Sequence, residues 1–274
     1  MTDSNTKKKE KKQIKKKNKK KTQKNKKKKM SKEESSSKYS LLIPTYNERE
    51  NISLLIQMID TLLTKNKITY EIIIVEDNSP DKTIECVKEM QKLYGNEKIK
   101  ILERPGKLGL GTAYMDGCNL CTGDFIFIMD ADFSHHPKFL IDFIKKQKET
   151  NCDIVTGTRY NLGGGVYGWN PIRKIISRGA NFMASFFLRP GISDLTGSFR
   201  LYRKSTFMKL VKEVKNGGYA FQMEIIIRAV YHGYHVEEIP ITFVDRVMGK
   251  SKLGMGEIVI YFNTVLDLYQ ELEV

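Results

Sequence analysis

The sequence predicts a doubly wound α/β fold, a mostly parallel sheet with helices on both faces, and three observations predict it. Apolar runs alternate with helix-periodic segments from Tyr39 to Gly157, the rhythm that builds parallel sheets. Tyr70 to Val75 forms a continuous apolar run, as a strand buried on both faces does. Carboxylate-bearing polar motifs follow the strands, at the end where such sheets carry their sites.

In chain order, Tyr39 to Pro44 is expected as a strand and Arg49 to Leu63 as an amphipathic helix. Tyr70 to Val75 is the second strand, Asp81 to Tyr94 a helix, Lys98 to Leu102 a strand and Gly109 to Leu120 a helix. Asp124 to Met129 follows as a strand. Pro137 to Thr150 reads as a helix, with proline suited to its first position, and Asp153 to Gly157 as a short strand. Beyond residue 160 the rhythm breaks. Asn161 to Asn170, with Gly163, Gly164, Gly165 and Gly168, reads as a loop, and Pro171 to Phe187 as a helix. Gly197 to Arg203 is expected as a strand, Ala220 to His232 as a helix, and Val236 to Val244 as an edge strand, where Pro240 is tolerated. Arg246 to Gly256 reads as a loop and Glu257 to Leu272 as a final amphipathic helix.

The net charge of +15 is concentrated at one end. Residues 1–38 hold about 18 of the 47 Lys+Arg and about 4 of the 32 Asp+Glu, leaving the remainder at about +1. Residues 1–38 therefore read as a disordered lysine-rich tail and 39–274 as the folded domain. Attraction to an anionic membrane, a nuclear signal, RNA contact and a solvated extension without a role all fit the tail's composition. The near-neutral domain gives no reason to expect nucleic acid as its ligand. Four scattered cysteines fit a reduced cytosolic setting, and Cys118 and Cys121 read as semi-buried thiols rather than a redox pair. No apolar stretch reaches the length of about 18 residues that a membrane-crossing helix needs.

The run Ile126-Phe127-Ile128-Met129 ends in Asp130-Ala131-Asp132. On an extended backbone residues two apart share a face, so both carboxylates are expected together, where a hard cation such as Mg²⁺ or Mn²⁺ would offset their repulsion. The spacing alone also fits a strand end turning into solvent. Carboxylates and Tyr46 beyond the first two strands suit a nucleoside, and Asn47, Ser79 and Asp81 also suit helix capping. The first strand is followed by no glycine-rich G-x-G-x-x-G turn and no P-loop motif is present, which removes the dinucleotide oxidoreductases and P-loop kinases. Arg159 ends a strand, and Arg246 with Lys252 occupies a glycine-containing loop, read as a mobile clamp over a phosphate.

Four segments, in order, carry a resemblance: Pro44-Thr45-Tyr46-Asn47-Glu48; Glu76-Asp77-Asn78-Ser79-Pro80-Asp81; Asp130-Ala131-Asp132-Phe133-Ser134-His135-His136-Pro137; and Asp194-Leu195-Thr196-Gly197-Ser198-Phe199-Arg200. Together they resemble the dolichol-phosphate mannosyltransferases of glycosyltransferase family 2, from about Tyr39 to the C-terminus. The resemblance implies a Rossmann-like GT-A fold, GDP-mannose as donor, dolichyl phosphate as acceptor and Mg²⁺ or Mn²⁺ as cofactor. It places Pro44, Tyr46, Glu48, Val75 and Asp77 on the guanosine and Asp130, Ala131 and Asp132 at the sugar diphosphate. The metal would fall to Asp130, Asp132 and Ser134, the last standing where some prokaryotic relatives carry Gln. Arg159, Arg246 and Lys252 would engage the diphosphate or acceptor phosphate, with Asp132, Arg159 and Arg246 the catalytic set. Arg173 and Ser177, a helical turn apart, would face the lipid phosphate.

The same resemblance implies inverting transfer that supplies dolichyl phosphate mannose for glycosylation and GPI-anchor synthesis. It further implies a peripheral protein at the cytosolic face of the endoplasmic reticulum, held by small membrane subunits. The Phe-bearing helix at Pro171 to Phe187 would touch membrane, a partner or its own core. Two rival functions stay open at this point: a UDP-glucose-dependent polyprenyl-phosphate glucosyltransferase, and a lysine-tailed RNA- or membrane-binding module with a vestigial nucleotide site.

Overall fold

The computed structural model describes residues 37–218, 220–245 and 255–272. The lysine-rich tail and the Arg246–Lys252 loop expected from the sequence lie outside these residues, apart from the last two positions of the tail. A seven-stranded sheet runs in the order β3-β2-β1-β4-β7-β5-β8. Its strands are β1 (Lys38–Thr45), β2 (Thr69–Glu76), β3 (Ile99–Glu103), β4 (Phe125–Ile128), β5 (Ile154–Thr158), β7 (Arg200–Arg203) and β8 (Val236–Pro240). All pair in parallel except β7, which is antiparallel to both β4 and β5. β6 (Gly165–Tyr167) and β9 (Thr242–Val244) form a separate parallel pair.

Alternation along each strand divides the apolar runs between two layers. Leu41, Ile43, Ile72, Ile74 and Phe127 face a layer that includes α1 (Arg49–Lys65), α2 (Thr83–Tyr94) and α4 (Leu140–Thr150). Leu42, Ile73, Val75, Ile126 and Ile128 face the other layer. That layer holds α3 (Leu110–Gly117), α5 (Pro171–Leu188), α6 (Lys204–Leu210), α7 (Phe221–Tyr231) and α8 (Met255–Glu271). A helix layer on each face is why these strands are apolar throughout.

Three local expectations are corrected, and one short helix was not foreseen. The glycine-rich run expected as loop contains β6, and the seven-residue α6 was too short to show a period of its own. The predicted strand Val236 to Val244 is two strands. Pro240 ends the β8 ladder opposite Thr158, Ile241 still donates to the Thr158 carbonyl at 2.9 Å, and the chain then leaves to pair with β6. Finally, β4 stops at Ile128, so Asp130 and Asp132 lie in a turn and not on an extended strand. Phe133 in that turn takes a left-handed φ of 61°. Asn47 and Asn78, just beyond β1 and β2, do the same at 59° and 53°.

Candidate active site

The turn after β4 is held by its own polar atoms. Ser134 donates to one carboxylate oxygen of Asp132 through its backbone N–H at 3.1 Å and its hydroxyl at 2.5 Å. The buried His135 accepts the Asp130 N–H on Nδ1 at 3.0 Å and stacks on Phe199, ring centroids 5.0 Å apart. Accepting on Nδ1 places the proton of the neutral ring on Nε2. Burial pushes the His135 pKa down, against the opposing pull of Asp130 and Asp132. The left-handed Phe133, a conformation unfavourable for a bulky side chain, marks this as a strained turn.

A second segment, Asp194 to Ser198, reaches both this turn and a buried arginine. Asp194 grips Arg159 with a two-pronged ion pair, Nε to Oδ2 and Nη2 to Oδ1 both at 2.7 Å. The Thr196 hydroxyl accepts from the same Nη2 at 2.7 Å, and the Ser198 hydroxyl donates to Asp130 Oδ2 at 3.1 Å. Burial would raise the Asp194 carboxyl, but the Arg159 guanidinium holds it below the usual carboxylate range. Tyr160, Trp169 and Phe243 surround the Arg159 guanidinium, their centroids 5.2, 5.4 and 5.5 Å away.

Beside Arg159 lies a pocket of about 190 Å³, whose lining includes Tyr160, Trp169, Lys174 and Arg178. Its charged lining is cationic. Arg173 stacks on Trp169 at 4.2 Å and pairs with Asp245 at 2.8 Å, while the Ser177 and Tyr160 hydroxyls are 2.7 Å apart. The buried Trp169 indole N–H finds no hydrogen-bond partner among the described residues. Gly168 is needed where it is: its φ is +87° and a Cβ there would meet the Asp245 side chain at 2.9 Å.

At the ends of β1 and β2, Pro44 pairs with Val75 and Thr45 with Glu76. Tyr46 lies under the Lys107 ammonium, 5.3 Å from the ring centroid. The Glu48 carboxylate accepts from Asn51 at 2.8 Å. Asn47 is not a capping residue; the entry to α1 is held instead by Ser79 and Asp81 of the neighbouring loop and by Thr83 at the start of α2. Asp81 also accepts from the Thr83 N–H, so the capping role read for it is met at α2. Asp77 is held by Arg104 through two bonds of 2.7 and 2.8 Å, and Arg104 also reaches Asp116 at 3.0 Å.

The structure thus gathers Asp130, Ala131, Asp132, Ser134 and Arg159 around one pair of segments, and sets Pro44, Tyr46, Glu48 and Asp77 over adjacent strands. Of the proposed nucleoside contacts, Val75 could reach a ligand only through its backbone. Its side chain is fully buried in the core, because the strand's alternation turns it toward α3. Arg246 and Lys252 lie outside the described residues. Asp194, Thr196, Ser198, Trp169 and Arg104 were not assigned roles from the sequence. The Asp194–Ser198 stretch was visible there as a motif, but its task of joining Arg159 to Asp130 depends on long-range contact.

Hard oxygen donors alone, the carboxylates of Asp130 and Asp132 and the Ser134 hydroxyl, fit Mg²⁺ or Mn²⁺. Among the described residues no three His, Cys, Asp or Glu side chains converge as a closed metal cage. Two carboxylates and a hydroxyl would suit a cation that completes its shell with substrate phosphate and water.

Comparison with known proteins points the same way. Residues 40–211 match the model of glycosyl transferase family 2. The chain is 35% identical over 222 residues to a polyprenol monophosphomannose synthase of Mycolicibacterium smegmatis, covering 80% of this chain and 82% of that one. It is 37% identical over 237 residues to a dolichol-phosphate mannosyltransferase of Pyrococcus furiosus, covering 84% of this chain and 63% of the relative's length. Among solved structures, glucosyl-3-phosphoglycerate synthase from Mycobacterium tuberculosis, bound to Mn²⁺, UDP and glucosyl-3-phosphoglycerate, superposes with a TM-score of 0.61. At 14% identity, over 89% of this chain and 82% of that one, this establishes the shared GT-A fold.

Proposed function

Because the chain belongs to glycosyl transferase family 2, we propose that it transfers mannose from GDP-mannose to a polyprenyl phosphate, dolichyl phosphate, with inversion. One observation carries the reading: the segment Asp194 to Ser198 holds a guanidinium, Arg159, and a carboxylate, Asp130, within one hydrogen-bonded unit. Such a unit can present an anionic acceptor and a metal-bound donor to each other. The names of the two relatives support mannose and a polyprenyl phosphate as the groups handled.

The acceptor needs no protein base, since a phosphate monoester is already ionised near neutral pH. Its oxygen forms the new bond to the anomeric carbon as the bond from that carbon to the donor's β-phosphate oxygen breaks, and the electron pair leaves with GDP. A single in-line displacement inverts the anomeric carbon. The protein's task is alignment and charge compensation. Arg159, fixed by Asp194, and the pocket cations Lys174 and Arg178 offset repulsion between the two phosphates. Arg173 and Ser177 border this pocket through Trp169 and Tyr160, which suits an acceptor-phosphate role. Arg246 and Lys252 are assigned to the same phosphates. Asp130 and Asp132 would hold Mg²⁺ or Mn²⁺, oriented by His135 and Ser134; when bound, such a cation neutralises the departing diphosphate. Pro44, Tyr46, Glu48, Val75 and Asp77 would hold the guanosine. Residues 39–274 would form the transferase domain, with 1–38 as a tail, working at the cytosolic face of the endoplasmic reticulum with small anchoring subunits. The product would serve glycosylation and GPI-anchor synthesis.

The test is incubation with radiolabelled GDP-mannose and dolichyl phosphate, with and without Mg²⁺. The expected result is a metal-dependent mannolipid, reduced by orders of magnitude in Asp132→Ala while its melting curve stays near that of the parent. A larger melting shift with UDP than with GDP, together with transfer from UDP-glucose, would remove the mannosyl assignment.

A further inference from the structure

Arg104 is the first residue after β3, and its N–H still donates to the Glu76 carbonyl at 2.8 Å. The chain is therefore still beside β2 where Asp77 emerges. The arginine is buried, and its five N–H groups are all engaged. Nε and Nη2 grip the two oxygens of Asp77 at 2.7 and 2.8 Å. Nη1 reaches the Thr112 hydroxyl at 2.8 Å and Asp116 at 3.0 Å, and Nη2 donates to the Gly109 carbonyl at 3.2 Å. With every donor engaged, Arg104 acts on a ligand only through these partners.

The partners belong to two separate pieces of the proposed nucleoside region. The first is Asp77, a carboxylate withdrawn from water that needs compensation. The guanidinium fork supplies it and fixes the carboxylate plane, while taking about half of the group's acceptor positions. The second is the loop from Pro105 to Gly109. The Thr112 hydroxyl that accepts from Nη1 donates to the Gly109 carbonyl at 2.8 Å, so arginine and threonine hold the same oxygen. Gly109 has a φ of +106°, and a Cβ there would meet the Gly217 carbonyl oxygen at 2.8 Å, so the pinned loop requires glycine. Gly111 donates to that Gly217 oxygen at 2.7 Å. The loop held in this way carries Lys107, whose ammonium stands 5.3 Å from the Tyr46 ring centroid.

We propose that Arg104 is a positioning residue for the donor nucleoside: it aims the Asp77 carboxylate, fixes the Lys107 loop against Tyr46, and sets nucleoside affinity without touching the nucleotide. The inference rests on the reading that places Asp77 and Tyr46 at the nucleoside. Lysine is no substitute. Its ammonium is a point charge with three donors, and it cannot span both Asp77 oxygens in one plane while also holding Gly109 and Thr112. A brace that merely tied β2 to α3 would cost stability and weaken all ligands alike. A positioning residue weakens only those ligands that carry a nucleoside.

The full chain is titrated calorimetrically with GDP in the presence of Mn²⁺ and, separately, with Mn²⁺ and inorganic pyrophosphate, a diphosphate without a nucleoside. Arg104→Lys is expected to weaken GDP by at least about tenfold, the scale of hydrogen bonds to a charged group, and to leave pyrophosphate within about twofold. Thr112→Val removes only the hydroxyl between Nη1 and Gly109, so it keeps the test readable should the lysine variant fail to fold. It should weaken GDP by about 3- to 10-fold, with a melting midpoint near that of the parent. Asp116→Asn is the control. Its side chain is half-exposed and still offers Arg104 an oxygen, so GDP should stay within about twofold. Three outcomes overturn the proposal: GDP affinity near the parent's in both Arg104→Lys and Thr112→Val, equal losses of GDP and pyrophosphate, or a loss in Asp116→Asn as large as in Arg104→Lys. A parent that binds UDP more tightly than GDP counts against the guanosine donor instead, and Arg104 is then judged by the same comparison of UDP with pyrophosphate.

Discussion

The Nδ1 of His135 accepts the backbone N–H of Asp130 at 3.0 Å, so an imidazole five residues downstream holds the backbone of the first residue of the acid pair. His135 reaches neither carboxylate as a proton donor on this nitrogen. Its contribution is geometric: it closes the turn that β4 leaves unfinished at Ile128.

Replacing that acceptor should therefore weaken metal binding without touching a ligand. His135→Ala is expected to lower Mn²⁺ affinity in the presence of GDP by about 10- to 100-fold, the usual cost of losing a group that orients a ligand. His135→Asn, whose side-chain oxygen can occupy the place of Nδ1, should recover most of it. Mn²⁺ titration followed by electron paramagnetic resonance separates the two. Equal losses in both variants would assign the effect to the missing ring packing on Phe199.

The pair of Arg159 and Asp194 is buried and doubly bonded, so breaking it on one side strands a charge. Asp194→Asn should cost about 3–5 kcal/mol in urea unfolding. Arg159→Met combined with Asp194→Leu should regain much of that stability, since no charge is then left alone, yet remain inactive in transfer. A stable, active double variant would show that the guanidinium is only a structural brace.

Much of this site was legible before the fold. The apolar runs and their order gave the sheet and both helix layers, because a parallel strand buried on two faces needs no partner to betray it. Asp130 and Asp132 were identifiable as an acid pair, but the reason offered was an extended strand, and the strand ends at Ile128, leaving both acids in the turn that contains the left-handed Phe133. β6 stayed hidden because a three-residue strand among glycines has no periodicity, and its pairing with β9 crosses the chain. Arg104 was illegible for a similar reason. Its bond to Asp77 spans 27 residues, and nothing around it in the sequence distinguishes it from a solvated charge.

Trp169 is the only tryptophan of the chain and lines the cationic pocket. Its intrinsic fluorescence should accordingly change saturably when a short-chain prenyl phosphate is added. Trp169→Phe would abolish the signal and, by loosening Arg173 and Arg159 on the ring, raise the acceptor KM by roughly 3- to 30-fold. The donor KM should stay within about twofold, because the stacking of guanidinium on indole that is lost lies in the pocket proposed for the acceptor. An unchanged acceptor KM would detach the indole from acceptor binding.

Acid sensitivity should reside at the opposite edge of the sheet, near the strands' amino ends. Glu71 is fully buried there. Burial alone would raise its pKa, but hydrogen bonds from Lys38, Ser40, Thr122 and Lys100 lower it from 4.5 to about 2. A carboxyl whose folded pKa is depressed lends stability that is fully present above its unfolded value and is lost as the pH falls toward the folded one. Glu71 should thus contribute about 3 kcal/mol above pH ~4.5, draining away between there and pH ~2. Urea midpoints of the parent and Glu71→Gln should differ most near neutrality and converge by about pH 2. Curves that stay parallel across this range would show that Glu71 titrates alike in the folded and unfolded chains, and that the two lysines, Lys38 and Lys100, do not hold it ionised.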